Sequence, residues 1–510
     1  MHIGWKLRQL ARWYPDRPAI IDEAGPWTYA VFLARLNRYG HAMAGIGLQR
    51  GDRIALMLPD IREYLEVDYG TMSAGFVRVP LDPRLTRAEI VSLLRHAEVR
   101  AIVAHADLGE KLAGLSDDVE SLRYVLSVGG SLPGAVEYER LLESASDADL
   151  ADGDDNDLAT LNFSGGTTGA PKATMLLHRN LMTVAQNTVH GFGITPATTF
   201  LNVRPLWPIA QVILMSYVMA GATVVLGGRF QADTFADLVR RTNAKRTSLV
   251  PTQLVRLVEH LRPRDPDLDG LQAIHVGGSR IPEAVFERAL DNLGPKVGVL
   301  YGLTEAPICC YLRPEDLDCD DILRKQRVAS VGRELFGYEI TLSAGDSATR
   351  EVDQEGEVLV RGSNVMAGYW NNAHATNAAL SAGVLHTGDL GRFDEHGNLH
   401  IVGRLKDVIR SGSSSIVPKE VEDVISSHAA VREVAVLGVP DPEWGEAVTA
   451  FVVLRPGTSA SESEIIEHCR SQLASYKKPK MVRFIDSLPR SHYGKVLQKQ
   501  LLSSLSETGS

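Results

Sequence analysis

Apolar residues in the first part of the chain alternate between two spacings. Residues 31–46 carry them three or four apart, as an amphipathic helix does, and residues 53–58 form a short continuous apolar stretch. Helix-like and strand-like stretches succeed one another in this way to about residue 145 and resume after residue 176. This alternation is typical of β-α-β units on a mostly parallel sheet, so it predicts an α/β fold.

The pattern changes twice in the last third of the chain. Between residues 332 and 403, short β runs are separated by glycines, which predicts a small antiparallel β subdomain. From about residue 406, helix-like and strand-like stretches form a smaller pattern of about one hundred residues, enough for a separate α+β domain. We therefore predict a large N-terminal domain over residues 1–403, made of parallel-sheet α/β subdomains plus the small β subdomain, and a small α+β C-terminal domain over residues 408–510.

Two other stretches have a clear local interpretation. Residues 176–187 have helical spacing and are predicted to form a helix. Residues 146–157 contain six aspartates, whose mutual repulsion predicts a solvated connector; a metal site is the alternative interpretation.

Composition narrows the functional classes. The 510 residues are 44% hydrophobic and 23% charged, which is ordinary for a soluble globular protein of about three domains. The net charge of -10 and the lack of a basic run argue against nucleic acid and favour small-molecule partners. Four cysteines without paired spacing, no signal-like N-terminus and no apolar run of about 20 residues predict a reduced, cytoplasmic protein without a membrane span.

A glycine- and hydroxyl-rich stretch follows the strand-like residues 158–163. It reads Ser164, Gly165, Gly166, Thr167, Thr168, Gly169, Ala170, Pro171, Lys172. Glycines let the backbone turn its N–H groups inward, and hydroxyls with a lysine add donors and positive charge, so the stretch suits the phosphates of ATP. It is not a Walker loop, because Pro171 separates the last glycine from the lysine and Ala173 follows it. A surface turn is the alternative.

Four further stretches strengthen the phosphate interpretation. They are Tyr301-Gly302-Leu303-Thr304-Glu305, His386-Thr387-Gly388-Asp389, Gly403-Arg404-Leu405-Lys406-Asp407 and Leu488-Pro489-Arg490-Ser491-His492-Tyr493-Gly494-Lys495. In this order and spacing, the five stretches resemble the ANL superfamily of adenylate-forming enzymes, which includes acyl-CoA synthetases, adenylation domains of peptide synthetases and luciferases. The resemblance covers nearly the whole chain, including the region between Gly356 and Tyr369.

The resemblance implies roles for the nucleotide-binding residues. Glu305 would bind Mg²⁺, with Thr304 donating to phosphate beside it, although a solvated glutamate is the ordinary alternative. Tyr301, followed by Gly302, would offer its ring to adenine, with the backbone of Gly277, Gly278 and Ser279 on the other side. Asp389 would accept both ribose hydroxyls, and Arg404 would approach the same ribose. Without the resemblance, these residues would be assigned to a core tyrosine, a turn and a surface.

The resemblance also implies a mobile C-terminal domain. Lys495 would stabilise the charge that develops when a substrate carboxylate attacks the α-phosphorus of ATP, while Lys172 and magnesium act on the leaving pyrophosphate. For the second half-reaction, the C-terminal domain would rotate about a hinge at residues 404–407, with Lys406 as the hinge residue. A solvated surface lysine is the alternative for Lys495.

The acyl and thiol sites depart from the family pattern. Pro208 stands where many relatives have a pocket histidine, so Trp207 is only a candidate pocket wall, together with Ile209, Val212 and Gly277. Ser413 replaces a glycine in the turn that helps to build the thiol tunnel. Residues 201–230 contain no Asp or Glu to anchor a substrate ammonium, which favours an apolar carboxylic acid.

The sequence therefore predicts an AMP-forming acid–thiol ligase that uses ATP, Mg²⁺ and coenzyme A. It would convert a carboxylic acid to acyl-AMP with release of pyrophosphate and then to acyl-CoA. A freestanding adenylation enzyme that loads an acyl or amino acid onto the pantetheine thiol of a carrier protein is the alternative. A non-catalytic or adenylate-only binding protein is a third interpretation, and a homodimer stays open.

Overall fold

Contacts between residues divide the chain into two units. The first comprises Met1–Ser164, Pro171–Ile340 and Val360–Leu385, and the second comprises Gly165–Ala170, Thr341–Leu359 and His386–Ser510. The computed structural model describes residues 1–164, 171–207, 211–345, 347–412, 414–490 and 496–507.

Helices and strands alternate along the first part of the chain, as the apolar pattern predicts. The helices are α1 Ile3–Trp13, α2 Tyr29–Gly45, α3 Arg62–Ser73, α4 Arg87–His96, α5 Gly109–Leu112, α6 Leu115–Asp118, α7 Tyr138–Glu143, α8 His178–Phe192, α9 Gln211–Met219, α10 Phe235–Thr242, α11 Pro251–His260, α12 Glu283–Leu293, α13 Asp321–Val328, α14 Ala373–Ala379, α15 Pro418–Ser426, α16 Glu462–Gln472 and α17 Gln498–Glu507. The strands are β1 Pro18–Asp22, β2 Gly25–Thr28, β3 Arg53–Met57, β4 Val77–Pro80, β5 Ala101–His105, β6 Tyr124–Val128, β7 Val136–Glu137, β8 Leu158–Ser164, β9 Lys172–Leu177, β10 Thr199–Asn202, β11 Thr223–Leu226, β12 Arg246–Leu249, β13 Ala273–Gly277, β14 Val297–Tyr301, β15 Cys310–Leu312, β16 Arg333–Glu334, β17 Tyr338–Ala344, β18 Ser347–Thr349, β19 Gly356–Gly362, β20 Gly368–Tyr369, β21 Leu380–Ser381, β22 Val384–Phe393, β23 Leu399–Arg404, β24 Ile409–Ser411, β25 Ser414–Ile416, β26 Val431–Asp441, β27 Gly445–Leu454 and β28 Met481–Phe484.

The first unit is built on two large sheets whose central strands are parallel. The strand orders are β16-β15-β14-β13-β12-β10-β11-β1-β2 and β20-β9-β8-β4-β3-β5-β6-β7. Strands β3, β4 and β5 are buried along almost their whole length, because helices cover both faces of a parallel sheet. The α/β prediction is confirmed.

The two faces of the nine-stranded sheet have different partners. Leu201, Leu249 and Val276 belong to a core cluster that also contains apolar residues of α11 and α12. On the opposite face, His275 bonds the hydroxyls of Tyr217 on α9, at 2.7 Å, and Tyr311 on β15, at 2.9 Å. Alternate residues of each strand therefore point to different layers, as the two-residue period of a strand requires.

The later strands form two smaller sheets. One has the order β18-β17-β19-β22-β21, with β23 on β22, and its β17–β18, β21–β22 and β22–β23 pairs are antiparallel. The other, in the second unit, has the order β25-β24-β27-β26, with β28 on β27, and it shares an apolar core with α15 and α16. The predicted antiparallel β runs and the small α+β domain are both present.

Two local predictions need correction. The helix predicted over residues 176–187 begins only at His178, because the preceding residues form β9 and pair antiparallel with β8 from Leu158 to Ser164. The aspartates of residues 146–157 do not simply repel one another: Asp152 pairs with Arg8, Asp147 with Arg38, and Asp157 with Arg50. In both places, partners distant in sequence decide the local conformation.

An ion pair lies inside the first unit beneath the strand that leads to the glycine-rich stretch. Asp68 on α3 and Arg78 on β4 form this pair, and both side chains are fully buried. Arg78 is also the register partner of Thr160 on β8, whose hydroxyl donates to the Arg78 carbonyl at 3.1 Å. Removing one member of such a pair leaves an uncompensated buried charge, whereas removing both does not.

We therefore expect Asp68→Ala to lower the free energy of unfolding by about 3–5 kcal/mol, and Asp68→Leu combined with Arg78→Met to recover most of that loss. Urea unfolding followed by tryptophan fluorescence measures both. Asp237→Ala, which breaks exposed pairs with Arg240 and Arg241, is the matched control and should cost less than about 1 kcal/mol. A double variant as unstable as Asp68→Ala would contradict this account.

Candidate active site

Several predicted site residues lie where neighbouring parallel strands end. Gly277 is the last residue of β13 and Tyr301 is the last residue of β14, and the two strands pair with Gly277 opposite Leu300. Gly278 and Ser279 follow Gly277 directly. Ligands of open α/β sheets bind at the carboxyl ends of the strands, so the structure brings these four predicted residues to a chemically suitable edge.

Glycine is required at two positions of this edge. Gly278 has a φ of +98°, a left-handed conformation that other residues rarely adopt. A Cβ on Gly302 would lie 2.4 Å from the backbone nitrogen of Ile308, because the chain after β14 folds back on itself. The same turn carries Thr304 and Glu305, both partly buried. Its tightness fixes where these two side chains begin.

Tyr369 joins two of the predicted residues of the first unit. Its hydroxyl donates to Oε1 of Glu305 at 2.8 Å, and the Lys172 ammonium lies 5.1 Å from the centre of its ring. Burial and the Glu305 carboxylate raise the pKa of Tyr369 well above its usual range, so the hydroxyl keeps its proton and remains a donor. The cluster of Lys172, Glu305 and Tyr369 therefore contains a cation, a carboxylate and a fixed donor.

The strand pairing explains why Tyr369 reaches this position. Strand β20 pairs antiparallel with β9, and Tyr369 lies opposite Thr174, two residues after Lys172. A Cβ on Gly368 would lie 2.8 Å from Cγ2 of Thr376, and Gly368 has a φ of +139°. The sequence analysis assigned no role to Tyr369. The glycine-tyrosine pair was the available signal, but it does not reveal a contact with a residue 64 positions earlier.

In the second unit, Asp389 and Arg404 lie together. They are register partners on β22 and β23, and Nε of Arg404 lies 2.8 Å from Oδ1 of Asp389. The Asp389 carboxylate is 4% exposed and the Arg404 side chain is 42% exposed, so the pair has one buried and one accessible member. Glu357 supports the preceding residues, accepting from the Gly388 amide and lying 2.9 Å from Nδ1 of His386.

The remaining predicted residues are less informative. Lys406 lies in a short 3-10 turn, Leu405–Asp407. Trp207 is half-buried and its indole donates to the Pro80 carbonyl at 3.2 Å, while Val212 is buried in the first turn of α9. Ser164 ends β8, but its side chain is outside the described part. Predicted residues that lie outside the described ranges are Gly165, Gly166, Thr167, Thr168, Gly169, Ile209 and Lys495, as does Ser413 of the thiol-tunnel turn.

Across the ranges that the structure describes, no helix combines the length and apolar character needed to cross a membrane.

Comparison with known proteins identifies the class. The family model described as AMP-binding enzyme matches residues 7–370, and the one described as AMP-binding enzyme C-terminal domain matches residues 420–495. The chain therefore belongs to the AMP-binding enzyme family of adenylate-forming enzymes. ATP is accordingly a substrate, as the glycine-rich stretch predicted.

Individual relatives narrow the activity. A feruloyl-CoA synthase from Amycolatopsis is 31% identical over 98% of both chains, and the long-chain-fatty-acid–CoA ligase FadD13 of Mycobacterium tuberculosis is 30% identical over 99% of both. The ATP-bound crystal structure of MatB from Rhodopseudomonas palustris superposes with a TM-score of 0.89, covering 100% of both chains at 29% identity. The chain is thus an AMP-forming acyl-CoA synthetase, which makes an acyl adenylate and then the coenzyme A thioester.

Proposed function

We propose that this ligase activates a carboxylic acid whose body is apolar, and that its ATP chemistry depends on the cluster of Lys172, Glu305 and Tyr369. The contact of Tyr369 with both other residues is the observation that carries the proposal. It joins a cation and a carboxylate that the sequence separately assigned to the phosphates and to magnesium.

The Glu305 carboxylate fits a magnesium ion. Tyr369 donates to Oε1, and no hydrogen bond or ion pair to Oε2 occurs among the described residues. Mg²⁺ in nucleotide sites is held by one or two carboxylates together with substrate phosphates, so a partly committed glutamate is a suitable ligand. When bound, the ion would neutralise phosphate charge. Tyr369 would keep the glutamate in one orientation.

The remaining residues divide the adenylation step among them. Lys172 and the glycine-rich residues 164–169 bind the phosphates, and Thr304 donates beside them. Tyr301, Gly302, Gly278 and Ser279 surround adenine, and Asp389 with Arg404 binds the ribose. Lys495 stabilises charge as the substrate carboxylate bonds to the α-phosphorus and the bond to pyrophosphate breaks.

The acyl group is accommodated near α9. This helix is buried and apolar from Val212 to Met219, except for Ser216, whose hydroxyl donates to the Val212 carbonyl within the helix. Val212, Ile209, Trp207 and Gly277 are the proposed pocket residues. A substrate ammonium would lack a carboxylate partner in residues 201–230, which supports an acid without an amino group.

We propose functional domains at residues 1–403 and 408–510, with a hinge at residues 404–407. Coenzyme A is the proposed acceptor, since the relatives named above are coenzyme A ligases. We further propose a reducing, cytoplasmic setting, because Cys309, Cys310, Cys319 and Cys469 are free thiols.

The direct experiment incubates the protein with ATP, Mg²⁺, coenzyme A and a panel of carboxylic acids of graded bulk. We expect AMP, pyrophosphate and an acyl-CoA, identified by mass spectrometry. Replacing coenzyme A with a phosphopantetheinylated carrier protein tests the alternative acceptor. Formation of ADP, or of an adenylate that no thiol accepts, would contradict the proposal.

Tyr369→Phe is expected to raise the Mg²⁺ concentration needed for pyrophosphate exchange about 10-fold, because it removes a hydrogen bond to a carboxylate while keeping the ring beside Lys172. Titration of exchange activity with Mg²⁺ measures the effect. Tyr338→Phe removes another buried tyrosine hydroxyl of the first unit and should leave the Mg²⁺ dependence unchanged. The same Mg²⁺ curve for Tyr369→Phe and the unsubstituted protein would disprove the positioning role.

The two half-reactions should separate genetically. Lys406→Pro is expected to retain pyrophosphate exchange and to lose thioester formation, since proline restricts the backbone rotation proposed for the hinge. Lys495→Ala is expected to lose exchange but still to convert a supplied acyl adenylate to thioester. Lys478→Ala serves as a control for removing a C-terminal lysine. Equal loss of both half-reactions in Lys406→Pro would rule out the hinge.

A further inference from the structure

Three arginines are buried in the part of the chain that the structure describes: Arg62, Arg78 and Arg204, at 8%, 0% and 9% exposure. Arg62 pairs with Asp22 and Arg78 pairs with Asp68. Arg204 forms no ion pair with any described residue. Its guanidinium makes one hydrogen bond, from Nη1 to the hydroxyl oxygen of Ser248 at 2.8 Å.

An unpaired guanidinium is costly in this position. Arginine stays protonated in proteins, so burial cannot be relieved by losing the proton as it could for lysine. Burial lowers the pKa of Arg204 to about 10, which still leaves the side chain charged near neutral pH. A buried cation normally has a hydrogen-bonded anion beside it. The chain supplies that anion for Arg62 and Arg78 but not for Arg204.

The nearby carboxylate of Asp60 does not provide it. Oδ1 of Asp60 accepts the backbone N–H of Leu206 at 2.6 Å, and burial raises the pKa of Asp60. A neighbouring guanidinium would have lowered that pKa instead. Asp60 therefore anchors the segment that carries Arg204 without neutralising it.

Arg204 lies at the edge of the sheet where the proposed acyl pocket begins. It follows β10, and the Asn202 side chain donates to its carbonyl at 2.7 Å. Asn202, Ser248 and His275 are register partners across β10, β12 and β13, so they share one face of the sheet. Gly277 lies two residues beyond His275 on that same face. The strands of Arg204 and Gly277 are two spacings apart, about 10 Å.

We propose that Arg204 binds a second carboxylate at the far end of the acid substrate. The substrate class would be a dicarboxylic acid with a short apolar frame, of which one carboxylate is adenylated and the other pairs with Arg204. This inference rests on the proposed acyl pocket and makes its far end polar. Ser248 holds the guanidinium in place through the single hydrogen bond that it accepts.

The experiment compares acids that differ only in the second carboxylate: adipic with hexanoic acid, and terephthalic with benzoic acid. We expect kcat/KM for pyrophosphate exchange to be at least 10-fold higher for the dicarboxylic member of at least one pair. Arg204→Met should lower that value about 100-fold, mainly through KM, and leave the monocarboxylic value unchanged or higher. Arg204→Gln should fall between, because it keeps a hydrogen-bond donor.

Thermal unfolding separates binding from a structural role. The preferred dicarboxylic acid should raise the Tm of the unsubstituted protein but not that of Arg204→Met. Without ligand, Arg204→Met should match or exceed the parent Tm, whereas the control Arg62→Met should lower it because Asp22 loses its partner.

Two outcomes would overturn the assignment. One is a preference for the monocarboxylic member of both pairs, and the other is an equal loss of both kinds of acid in Arg204→Met. Both outcomes still show acid activation, so they would remove Arg204 from substrate recognition while leaving the proposed ligase function intact. Failure of the protein to activate any acid would instead contradict the proposed function itself.

Discussion

The parallel strands of the nine-stranded sheet must all end at the same edge, and the candidate chemistry of the first unit depends on that constraint. Strands β10, β12, β13 and β14 are held in one register by their backbone hydrogen bonds. Their ends deliver a buried cation, a glycine turn and an aromatic ring to one rim of the sheet. The core on the opposite face keeps the strands rigid, because Leu201, Leu249 and Val276 are fully buried among α11 and α12.

A second, shorter pairing connects the phosphate strand to the turn after β14. Strand β20 contributes only Gly368 and Tyr369, yet it brings a phenol between a lysine ammonium and a glutamate. The phenol is neutral, so it can orient the carboxylate without competing with a metal ion for its charge. A lysine in direct contact would have neutralised the glutamate and weakened it as a ligand for a cation.

The fold and the nucleotide residues were accessible from the sequence for identifiable reasons. The α/β alternation is a local property of residues 31–58 and their successors, and the motifs around Glu305, Asp389 and Arg404 occur in a distinctive order. Strand β9 was missed because its apolar spacing also fits a helix, and only its pairing with β8 decides between them. Tyr369 was missed because its function lies in contacts with Glu305 and Lys172, which are remote in sequence.

Arg204 shows what a sequence pattern cannot express. In the sequence it is an ordinary charged residue before Pro205, and most arginines are solvated. The structure changes its meaning through two facts, namely that it is buried and that it lacks a carboxylate partner. Arg78 has the first property but not the second, and its partner Asp68 makes it part of the core. A buried charge with a protein partner serves the fold, whereas one without a partner at a strand edge is placed to receive a ligand, because only binding can then compensate its desolvation.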